Sequence, residues 1–247
     1  MPSRKYPLIT QGFYHVYNKG VDGRVTFCDK REYLRMVALL NYYRFDSLPL
    51  SFSHFLRLTK LQQNSIVSSL IKRSEKKVKI LSYCLMPTHF HLLLQQIRDG
   101  GISEFLSCLL NGYTKYFNTK HDRPGHLFLG QFKASVIESE NMLVHVSRYI
   151  HLNPYTSYLV KTFEELLAYK WSSLPEYLSS NQTEDAICDK EDVSGNFATP
   201  NGYRQFLFDQ KDYQRKLKAL KDLVFERPLN QPRRLVSPKR APLGVKT

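Results

Sequence analysis

The sequence predicts an α+β protein on the ferredoxin-like (RRM-like) plan, an antiparallel sheet with helices on one face, plus a C-terminal helical and disordered extension. Three observations carry the prediction. Strand-like and helix-like segments follow the order β-α-β-β-α-β-α. Two strand-like runs are joined by a Pro-Thr turn of hairpin length. Beyond about residue 178 the chain loses apolar periodicity and takes on blocks of charge.

Each element has its own signal. Residues 12–21, GFYHVYNKGV, alternate aromatic and polar side chains before meeting Gly20, as a strand entering a turn does. Residues 29–45 place Tyr33, Met36, Val37 and Leu40 at helical spacing behind Asp29, which predicts a helix capped by that residue. Residues 46–77 carry no single pattern, and 57–79 hold seven Lys/Arg and one acid, a solvated basic surface. The hairpin follows, VKILSYCLM (78–86) and HFHLLLQQ (89–96) around Pro87-Thr88. A helix is expected over 102–121 with Ser103 as its cap, then a Gly- and Pro-containing loop over 122–131, and a strand over 132–139. The last helix of this part, 141–153, is expected to stop before Pro154, which disfavours helix at the preceding residue.

Two domains of unequal character result: residues 1–178, and an extension over 179–247. The extension comprises an acidic linker (182–195), a helical stretch (203–225) and a tail from Arg227 to Thr247 with six Lys/Arg, four Pro and no acid.

The 247-residue chain has 36 Lys+Arg against 22 Asp+Glu, a formal charge of +14. That excess suggests a polyanionic partner, nucleic acid above all, and 16 Tyr with 15 Phe supply stacking faces as well as core. The four cysteines are far apart with no CxxC pair, which argues against a cysteine-built zinc site or a disulfide framework. The N-terminus lacks the apolar core of a signal peptide, and no run of about 18 apolar residues occurs. A soluble, cytoplasmic protein is expected.

Within the hairpin, His89 and His91 bracket Phe90. Alternate residues of a strand share a face, so the two imidazoles project side by side. They suit one divalent ion, provided a third ligand comes from elsewhere; the other reading is two polar residues on a half-exposed strand. Tyr149 and Asn153, four apart, share a face of the 141–153 helix. A tyrosine beside a metal-bound phosphate can exchange one phosphodiester for another and keep the bond for rejoining. Read alone, Tyr149 is more readily a core aromatic than a nucleophile.

The motifs CLMPTHFHLLL and, about 55 residues later, RYIHLNPY resemble those of the single-tyrosine HUH transposases, and of the IS200-like group the REP-associated tyrosine transposases in particular. YHVYNKG, GHLFLGQFKA and YKWSSLPEYL extend the resemblance over about residues 8–178. The resemblance implies a ferredoxin-like fold and cleavage and rejoining of single-stranded, hairpin-containing DNA through a 5′-phosphotyrosine. It makes Tyr149 the nucleophile and His89 and His91 ligands of Mg²⁺ or Mn²⁺. Asn153 stands where more distant relatives place a glutamine ligand, with His145 as an alternative third ligand. Tyr113 and Tyr116 compete with Tyr149 for the nucleophile's role.

Candidate DNA contacts are Lys19, Arg24, Lys115, Lys120, Arg123 and Lys133, with Arg233, Arg234, Lys239 and Arg240 of the tail adding non-specific attraction. A homodimer is left open. The alternative function is a catalytically inactive protein of RRM-like fold that binds structured nucleic acid; an RNA-binding module of that fold would leave the histidine pair and the YIHLNP helix unexplained.

Overall fold

The computed structural model describes residues 7–179 and 186–216. Four antiparallel strands form one sheet in the order β2-β3-β1-β4: β1 (Phe13–Lys19), β2 (Val78–Met86), β3 (His89–Gln96) and β4 (Lys133–Ile137). This is the strand order of the ferredoxin-like plan. Met86 pairs with His89, so Pro87-Thr88 is the two-residue hairpin turn.

Helices α1 (Lys30–Tyr43) and, further along, α4 (Gly101–Lys120) cover one face of the sheet, with α2 (Phe52–Phe55) and α3 (Lys60–Arg73) beside them in the stretch that showed no single pattern. Tyr14, Val16, Leu92 and Leu94 of the sheet meet Met36, Leu40, Phe105 and Leu109 there, all buried. Asp29 caps α1 as expected, accepting from the Arg31 and Glu32 amides at 2.9 and 3.1 Å. Ser103 is not a cap: α4 starts two residues earlier, after Gly100 in the left-handed region (φ 67°), and Ser103 lies inside the helix. Gly101 passes close to the residue before β2, where a Cβ would stand 2.3 Å from the Lys77 carbonyl oxygen.

The opposite face is built by α5 (Glu140–Thr156), α6 (Phe163–Leu167), α7 (Leu174–Leu178), α8 (Glu191–Ser194) and α9 (Pro200–Phe208). Leu81, Cys84, Met86, Leu93 and Ile137 of the sheet bury against Leu143, Ile150 and Leu152 of α5. Pro154 does not end α5; the helix continues to Thr156 with the proline inside it. Leu152, Pro154 and Tyr155 are buried, and that packing outweighs the one intrahelical bond a proline cannot donate.

Residues 186–195 do not behave as a linker. The amides of Ile187 and Cys188 bond the Glu176 carboxylate at 3.1 and 2.9 Å, and the Asp189 amide bonds Ile80 of β2 at 2.8 Å. Ile187 and Val193 are buried apolar residues within an acidic stretch. The expected helix over 203–225 is seen as α9 and a further helical turn over 211–216; residues 217–247, with the basic tail, lie outside the described residues. Among the described residues no helix is long and apolar enough to cross a membrane.

Candidate active site

The register gives the site its composition. In an antiparallel pair, residues directly opposite share a face. Lys19 lies opposite His89, Tyr17 opposite His91, and Lys133 opposite Tyr17. His15, Tyr17, Lys19, His89, His91 and Lys133 therefore share the face that α5 covers. Toward Phe13 and Leu93 that face is closed by apolar contacts; toward His89 it carries polar groups.

His15 was not singled out from the sequence, and it is central. Its Nε2 lies 3.0 Å from His91 Nδ1, with the two rings stacked at 5.1 Å between centroids. Burial pushes the His15 imidazole down to about 4, so it stays neutral at physiological pH. Tyr17 stands 5.7 Å from the His91 ring and 5.4 Å from that of His15. The signal was present in YHVYNKG: His15 and Tyr17 have the same i, i+2 spacing as His89 and His91.

Helix α5 brings Tyr149 over this cluster. Its ring is edge-on to His91 at 5.6 Å and to His15 at 5.7 Å, and 38% of the residue remains exposed. Asn153, one turn on and 1% exposed, donates from Nδ2 to the Tyr149 carbonyl at 3.0 Å. His145 points elsewhere: it bonds Arg148 at 2.6 Å and lies against Phe206. Tyr113 and Tyr116 are on α4, across the sheet from the histidines; Tyr113 is buried and donates to the Thr26 carbonyl at 2.5 Å.

The roll of α5 is fixed by a buried polar chain. His151, fully buried, bonds the Tyr203 hydroxyl at 2.6 Å and Ser173 Oγ at 2.7 Å. Ser173 Oγ accepts in turn from the Tyr83 amide of β2 at 2.9 Å, and the Tyr203 hydroxyl also meets Ser147 Oγ at 3.1 Å. Burial lowers the His151 imidazole to about 3, so this chain stays neutral. The YKWSSLPEYL segment thus ties the tyrosine helix to the edge strand.

The candidate DNA contacts are dispersed. Lys19 and Lys133 flank the histidines on the site face, and Arg24 is exposed in the loop after β1. Lys115 and Lys120 belong to α4 on the opposite face. Lys120 is held by Asp29 at 2.6 Å and Glu32 at 2.7 Å, and Arg123 by Asn118 at 2.6 Å and the His126 carbonyl at 3.0 Å.

Two imidazoles on one polar face fit a divalent ion as an incomplete ligand set. Among the described residues, the group of three His, Cys, Asp or Glu ligand atoms within 4.8 Å of one another is Cys28, Glu32 and His121, not one that includes His89 or His91.

No curated protein matches the chain in sequence. A solved structure, that of a REP-associated tyrosine transposase bound to a REP hairpin, is similar to 75% of this chain and 90% of its own length, at 14% identity and a TM-score of 0.47. Residues 57–153, a span that includes His89, His91, Tyr149 and Asn153, match the family model described as transposase IS200 like. Over that segment, which is less than half of the chain, the sequence is similar to the IS200-like transposases.

Proposed function

We propose that the protein cleaves and rejoins single-stranded, hairpin-containing DNA, with Tyr149 as nucleophile. The observation that carries this reading is the Tyr149 ring, partly exposed and 5.6 Å from His91 on a face that also holds His15, Lys19 and Lys133. Tyr149 Oη attacks the scissile phosphorus, and the bond from phosphorus to the 3′ oxygen breaks. The departing strand leaves as a 3′-hydroxyl, and the other strand stays on the enzyme as a 5′-phosphotyrosine. Attack by a second 3′-hydroxyl reverses the exchange, so one phosphodiester replaces another without outside energy.

His89 and His91 are the residues that would hold Mg²⁺ or Mn²⁺, which when bound offsets the charge of the phosphate. Asn153 would reach that ion only by turning its side chain away from the Tyr149 carbonyl. The chain's own contribution is placement: the buried links through His151 hold α5 so that the phenol faces the imidazoles. Lys19 and Lys133 bind phosphates on either side.

The test is Tyr149→Phe, incubated with labelled single-stranded hairpin DNA and Mn²⁺. It should bind DNA as the parent does and form no protein–DNA adduct that survives denaturant, while Tyr113→Phe and Tyr116→Phe keep the adduct. Persistence of the adduct in Tyr149→Phe would show that another group is the nucleophile. Cleavage without any adduct, unaffected by all three changes, would make the protein a nuclease using activated water.

A further inference from the structure

We propose that Cys28, Glu32 and His121 form a second metal site, suited to zinc, that ties the start of α1 to the end of α4. It lies apart from the histidine face and rests on none of the cleavage chemistry. The ligand atoms of the three residues lie within 4.8 Å of one another. They offer one thiol sulfur, one carboxylate oxygen and one imidazole nitrogen, the donor types that zinc combines. Zinc bond lengths of about 2.0–2.3 Å place tetrahedral ligand atoms about 3.3–3.8 Å apart, so closure needs movements of about an ångström.

Three features favour an ion here. Glu32 is anchored: its side chain is fully buried, on the first turn of α1, and accepts from the Cys28 amide, Lys120 and His121. Cys28 and His121 are exposed, so an ion can reach the carboxylate from solvent. The local charge is also unbalanced, since Asp29 and Glu32 share the single ammonium of Lys120. Ion pairing explains the carboxylates, the lysine and the imidazole, but not why the Cys28 sulfur also stands within 4.8 Å of both the Glu32 oxygen and the His121 nitrogen. His121 Nε2 already faces Glu32 at 2.5 Å. On binding, Cys28 gives its proton to solvent, His121 carries its remaining proton on Nδ1, and Lys120 swings out, which leaves the fourth position to water.

The experiment uses Co²⁺ as probe on the full chain carrying His89→Ala and His91→Ala, so that the histidine face does not compete. One equivalent of Co²⁺ should produce a thiolate-to-metal charge-transfer band that Zn²⁺ abolishes by displacement. The band should be lost on adding Cys28→Ser or His121→Ala, both at exposed positions and checked for an unchanged fold by circular dichroism. Glu32→Gln is avoided because it disturbs a buried ion pair. Absence of the band, or its survival in Cys28→Ser or His121→Ala, would overturn the assignment.

Discussion

Replacing Tyr203 tests whether the C-terminal segment is part of the machine that positions the nucleophile. Tyr203 is 1% exposed, and its ring lies against Tyr177 and Phe197 at 4.8 and 5.1 Å. Its hydroxyl serves His151 Nδ1 and Ser147 Oγ, but Ser147 also donates to the Val144 carbonyl at 2.8 Å. Tyr203→Phe therefore strands chiefly His151 Nδ1, at a cost of about 1–3 kcal/mol for a buried polar atom without a partner. Tyr203→Ala removes the ring as well and should cost about 3–5 kcal/mol. At about 2–4 °C per kcal/mol for a chain of this size, the Phe variant should melt about 2–12 °C lower and the Ala variant about 6–20 °C lower. Urea unfolding followed through Trp171, the single tryptophan, is a suitable assay: Trp171 stacks on Tyr33 at 4.6 Å, and its carbonyl accepts from the Leu85 amide of β2 at 2.8 Å. Adduct formation by the Phe variant should slow more than its DNA affinity falls, because α5 loses a restraint while the phosphate contacts remain. If both variants unfold within about 0.5 kcal/mol of the parent, residues 186–216 lie outside the cooperative unit and 1–178 is a self-sufficient domain.

Three further outcomes are expected. His89→Ala or His91→Ala should abolish divalent-dependent cleavage and keep cooperative unfolding; loss of folding in both would make the pair a structural element. Lys19→Ala and Lys133→Ala should each weaken single-stranded DNA binding and lower the salt slope by about 0.7, the value for one phosphate contact, whereas Lys115→Ala, on the far face, should leave the slope unchanged in filter binding across a salt series. Acid should loosen the junction of β2 and α4. Hydrogen bonds from Lys77 and Arg98 hold the Glu104 carboxyl below its ordinary value, and Arg98 does the same for Asp46. Carboxyls depressed in the folded state stabilise it fully above the ordinary carboxylate range and progressively less as pH falls through their folded values. The melting temperature should accordingly drop as pH falls below about 4, and less steeply in Glu104→Gln.

The sequence by itself determined whatever rests on short-range periodicity. Alternation put His89 and His91 on one face, helical spacing put Tyr149 and Asn153 on another, and Pro-Thr between two strand-like runs gave the hairpin. Asp29 before an amphipathic run gave the cap of α1. These are relations within a few residues, fixed by backbone geometry alone. Where long-range packing outweighed a local preference, the sequence reading went astray. Pro154 sits inside α5 because its neighbours are buried on both sides, and Gly100 rather than Ser103 starts α4 because the chain must turn closely past Lys77. Residues 186–195 look acidic and loose, yet Ile187 and Val193 decide their fate by finding a core. Only the tertiary structure could join His15 to His91, since strand register sets which residues stand opposite across 76 positions of chain. It alone separated Lys19 and Lys133, on the site face, from Lys115 and Lys120 behind the sheet. It also drew Cys28, Glu32 and His121 together from the two ends of a helix pair, a grouping that no spacing in the sequence could announce, because the proximity is created by the fold.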